Sequence, residues 1–90
     1  MKCISVYTKD FGAFSEIYES IISAPPQDNE VKEFGGIFCG DSGEVEEDYM
    51  RRLSAKPETA VMRDKKSGAV ILQHGEVFEI FMPSENPVTP

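Results

Sequence analysis

Two cysteines, one histidine and sixteen carboxylates are the side chains of this 90-residue chain that could carry chemistry. A nucleophilic thiol needs a nearby cation or a helix N-terminus to stabilise its thiolate. Cys39 instead precedes Gly40, with Asp41 and Glu44 following, and negative charge raises a thiol pKa. Cys3 and Cys39 become neighbours if the segments that hold them pair as strands, but no Cys-x-x-Cys spacing supports a redox couple. Both thiols are therefore expected to serve as small buried apolar groups. Should the chain act as a small-ligand enzyme or redox protein, the expected reactive groups are Cys39 and Asp41. Their pocket would form between Gly35-Gly36 and the first helix.

Asp41, Glu44, Glu46, Glu47 and Asp48 could ligate a hard cation. They do not follow the twelve-residue calcium-loop pattern, and helical spacing points their carboxylates in several directions. They read as the solvated start of a helix, where negative charge complements the macrodipole. The glycine-rich stretch before them has neither a Gly-Lys-Ser/Thr ending nor the three-glycine spacing of a phosphate cradle. Within it, Gly40-Asp41-Ser42-Gly43 resembles, over four letters, the surroundings of the nucleophile in trypsin-like serine proteases. That chemistry needs a histidine to take the serine proton and an acid to hold the histidine. The single histidine, His74, reads as a hairpin-turn residue, so the tetrapeptide reads as a turn that caps the next helix. No catalytic, cofactor-binding or metal-binding residue is expected.

Elements must position these groups. Residues 2–8 alternate in polarity, as a strand does. Asp10 is placed to cap a helix whose stripe of Phe11, Phe14, Ile17, Tyr18, Ile21 and Ile22 recurs every three or four residues. Pro25-Pro26 ends it. Residues 31–39 read as a second strand, with Phe34 and Phe38 on one side and Ile37 and Cys39 on the other. Gly35-Gly36 leaves open a turn between two shorter pieces. A second helix over 44–55 begins with acids and finishes near Arg51, Arg52 and Lys56. Residues 59–63, 69–73 and 76–82 read as a meander, with His74-Gly75 as its two-residue turn. The order β-α-β-α-β-β-β predicts an α+β fold, a two-layer sandwich of two helices on a mixed sheet of about five strands. One domain over 1–83 is expected, with 84–90 as a disordered, proline-rich tail.

Composition sets the partners. Nine Lys and Arg against sixteen acids leave a net charge of −7, which disfavours nucleic acid and anionic membranes. No apolar run approaches the ~20 residues of a membrane span, and the start lacks a signal-like apolar core. The expected location is cytoplasmic, with no cofactor. Both faces of 76–82 are apolar, and two helices on one side leave the other in need of cover. The expected function is a small non-catalytic binding or regulatory module, acting through homodimerisation or a protein partner. Phe34, Phe38, Val77 and Phe81 are its expected contact residues. The acidic helix 44–55 offers a second surface for a basic partner.

Overall fold

The computed structural model describes residues 1–83, and the tail expected at 84–90 lies outside them. In chain order the elements are β1 (Lys2–Val6), α1 (Phe11–Ser23), β2 (Val31–Phe34), β3 (Ile37–Glu44), α2 (Glu47–Ser54), β4 (Ala60–Arg63), β5 (Val70–His74) and β6 (Val77–Met82). The strands form one six-stranded sheet in the order β2-β3-β1-β6-β5-β4, and every neighbouring pair is antiparallel.

Alternation explains the centre of this sheet. β1 sends Ile4 and Val6 to one side and Cys3 and Ser5 to the other, and all four are buried. A strand covered on both faces belongs between neighbours rather than at an edge, and β1 sits between β3 and β6. α1 lies on the Ile4 side. Its cap forms as the sequence predicts, with Asp10 Oδ1 accepting the Gly12 N–H at 3.0 Å. Phe14 and Ile21 join Ile4, Val6, Cys39, Ile71, Phe78 and Ile80 in the larger core. The Phe14 and Phe78 rings stack with centroids 4.1 Å apart and planes 7° from parallel. Leu53 of α2 closes a smaller core with Cys3, Leu72 and Phe81 on the opposite side.

The α+β fold with two helices is as expected; the layering and the strand count differ. Gly35 and Gly36 both have positive φ, 58° and 86°, and make the two-residue turn that splits 31–39 into β2 and β3. That turn gives six strands rather than about five. It also brings β3 back against β1 in antiparallel sense and leaves β2 at the edge, so the sheet is not mixed. The helices do not share one face as a two-layer sandwich requires. β1, β5 and β6 are apolar on both sides, and each side takes one helix.

The stretch 40–43 is a further correction. It is not a turn but part of β3, opposite β1. Asp41 faces Ile4 and Gly43 faces Cys3, so Ser42 is the additional residue of a bulge. Asp41 Oδ1 accepts the Gly43 N–H at 2.8 Å and stabilises it. α2 therefore starts at Glu47, later than 44, and Glu46 occupies its N-cap without a side-chain bond. Its charges keep the expected polarity, with Glu47 and Asp48 in the first turn and Arg51 and Arg52 in the last.

Candidate functional site

Strand register lays out the sheet face opposite α1 as rows of side chains. One row runs Gly43, Cys3, Phe81, Val70; the next runs Val31, Gly40, Ser5, Glu79, Leu72. A third joins Glu33 to Phe38, and Val77 to His74. Tyr7 lies between these pairs, just beyond β1, with its N–H donating to Phe38 O at 3.0 Å. α2 has only eight residues and packs over Cys3, Leu72 and Phe81. Among the described residues, nothing covers the β2-β3 end of the face.

Next to the helix the face is polar and bonded in part, the buried His74 Nε2 having no hydrogen-bond partner among the described residues. Ser5 Oγ and Ser42 Oγ are 2.6 Å apart, Cys3 Sγ donates to Glu79 Oε1 at 3.7 Å, and His74 Nε2 lies 3.5 Å from Glu79 Oε2. Burial pushes the Cys3 thiol up to about 12, and the Glu79 carboxylate adds to the shift. His74 is not in the hairpin turn. It is the last residue of β5, and Gly75-Glu76 makes the turn, with Gly75 at φ 61°. β1 and β6 separate β3 from β5, so three strand spacings of ~4.8 Å put the two backbones about 14 Å apart. Ser42 and His74 therefore share a face without meeting, and His74 turns to Glu79.

The alternative reactive pair separates in function. Cys39 is buried among apolar side chains on the α1 side, where burial pushes its thiol up to about 11. Although β1 and β3 pair, Cys3 and Cys39 occupy opposite faces of the sheet and cannot bridge. Asp41, with its side chain only 2% exposed, has Lys2 Nζ at 3.9 Å besides its bond to Gly43. Lys2 Nζ also donates to Pro26 O at 2.7 Å. Where a ligand pocket was expected, the Gly35 turn packs on α1, and a Cβ at Gly35 would lie 3.6 Å from Ile17 Cγ2. The open hollows lie elsewhere. One of about 700 Å³ is bordered by Met1, Glu44, Val45 and Glu47, and one of about 270 Å³ by Asp28, Asp41, Ser42 and Glu44.

The four expected contact residues divide. Phe38 is 55% exposed and shares the uncovered face with half-buried Val77. Phe34 is opposite Ile37 and packs against the α1-side core, because the Gly35-Gly36 turn places it on the other face from Phe38. Phe81 is 1% exposed under α2, with the Tyr49 ring centroid 6.1 Å away. It is a core residue. The structure adds Tyr7, 55% exposed, and Val31, 65% exposed, to Phe38. Alternation along 2–8 already placed Tyr7 with Cys3 and Ser5, whereas Val31 depended on the hairpin register. A Cβ at Gly40 would meet Val31 Cγ2 at 3.8 Å, so Val31 leans over the gap that this glycine leaves.

Among the described residues, no group of three or more His, Cys, Asp or Glu is placed to hold a metal ion. Among them, too, no helix is long and apolar enough to cross a membrane. No family model, curated protein or solved structure matches the chain.

Proposed function

We propose that this protein is a binding module that docks another protein through the uncovered β3-β1 end of the sheet. The observation that carries this reading is the clustering of Tyr7, Val31 and Phe38, each more than half exposed, on a sheet face that α2 covers only in part. Isolated exposed apolar side chains are ordinary, but adjacent ones on a sheet face mark interaction surfaces. Aromatic groups beside a polar margin are also the usual anchors of such contacts. The polar groups nearby favour the same reading. Ser5 bonds to Ser42 and Cys3 to Glu79, and both thiols are held in the unreactive protonated form by burial.

Photocrosslinking tests the proposal directly. A benzophenone amino acid at position 38 is expected to give discrete protein adducts in the source cell, while the same group at Glu16, on the exposed side of α1, is not. Equal adduct patterns at the two positions would remove the proposed surface.

A further inference from the structure

Resting on the reading of this face as a docking surface, we infer that its occupant is a basic protein, one that presents an apolar anchor ringed by Lys or Arg, and not a second copy of this chain. Charge selects the partner. Among the described residues, the acid and histidine side chains on the Ser5 and Phe38 rows are Glu33, directly across from Phe38, together with Glu79 and His74, which face each other. The cation on this face, Arg63, pairs with Val70 on the far edge strand β4. Glu76 lies in the adjoining turn, and Asp28 and Glu44 line the hollow beside Ser42. Lys32, on the edge strand beside Val31 and Glu33, points away to the α1 side and donates to Ala24 O at 3.0 Å. Lys9 lies two residues past Tyr7, on the loop that follows β1. The apolar cluster thus has an acidic margin on a chain of net charge −7.

A two-fold dimer would use the same patch on both copies and bring like margins together. Juxtaposed like charge opposes association, whereas a complementary surface speeds encounter and sets orientation. Apolar anchors in the partner would sit against Phe38, Tyr7 and Val31, excluding water from the cluster. Its cations would reach Glu33, Glu76 and Asp28, since of the other carboxylates at the 270 Å³ hollow Asp41 is buried beside Lys2 and Glu44 pairs with the N-terminal ammonium at 3.0 Å.

The test is selection from a phage-displayed library of random 16-residue peptides on the immobilised full chain, followed by synthesis of the enriched sequences. Net-positive peptides with Leu, Phe or Trp among Lys and Arg are expected. Their Kd, read by fluorescence anisotropy, should rise about tenfold in Phe38→Ser and in Glu33→Lys. It should also rise about tenfold between 50 and 500 mM salt, because the screening length of exposed charges shortens from ~14 to ~4 Å over that range. The free protein should sediment at its monomer mass of 10.0 kDa. Enrichment of neutral or acidic sequences, no enrichment, or indifference to Glu33→Lys while Phe38→Ser weakens binding would overturn the basic partner and leave the surface standing. A dimer abolished by Phe38→Ser would make a second copy the occupant and also overturn it. Indifference of both binding and assembly to Phe38→Ser would overturn the inference and the proposed function together.

Discussion

Cys3 and Cys39 show how little a residue type says before its surroundings are known. Both are buried, Cys3 beside Glu79 and Cys39 among apolar groups, so neither thiolate has a stabilising cation. Each should react with a disulfide reagent at pH 7.5 at least ~100-fold more slowly than free cysteine, since the thiolate fraction alone falls by that much. The same burial sets an alkaline limit. Thiols pushed to about 12 and about 11 stay protonated in the fold, while in the unfolded chain they ionise near 8.5. Their contribution to stability is fully present below that value and is lost as pH rises towards 11 and 12. Tyr18, pushed to about 12 by burial and by Asp64, which its hydroxyl bonds at 2.7 Å, acts in the same sense from about pH 10. Denaturant midpoints measured from pH 8 to 10.5 should therefore fall, and should fall less steeply in Cys3→Ala/Cys39→Ala.

Elements were legible where local chemistry decides them. α1 is such a case, because its stripe, its Asp10 cap and its terminating prolines are all adjacent in sequence. Asp10→Ala should lower unfolding free energy by about 1 kcal/mol in urea titrations, with the fold unchanged by circular dichroism. α2 was displaced by three residues because Asp41 and Ser42 have turn-forming side chains whichever structure they enter. Their backbone is taken up by pairing with β1, a long-range partner that turn propensity does not register. Likewise, Gly35-Gly36 is compatible with a weak strand or a tight turn. The turn prevails because both glycines adopt positive φ at no steric cost and because β3 then covers one flank of β1.

At the scale of the whole molecule, the placement of α2 decides which aromatics are core and which are surface. Alternation alone offers Phe81, on the final strand, ahead of Phe38 for the interface, yet α2 covers the first and leaves the second 55% exposed. Phe81→Ala should cost about 3 to 5 kcal/mol, as large-to-small changes in a packed core do. Phe38→Ser should shift stability by no more than ~0.5 kcal/mol. Thermal or urea unfolding of the two variants checks this contrast, and similar losses in both would mean that Phe38 supports the fold rather than a partner.

Period and charge along the chain were sufficient for the α+β class, for α1 and its cap, and for two strands joined by a tight turn near Gly75, though not for the position of that turn. These follow from interactions between residues a few positions apart. Only the folded chain determined that the two helices take opposite faces, that Cys3 and Cys39 point apart, and that Tyr7, Val31 and Phe38 converge. Each depends on strand order and on register through the Gly35-Gly36 turn and the Ser42 bulge. A shift of one residue moves a side chain to the other face, so short-range patterns cannot specify it.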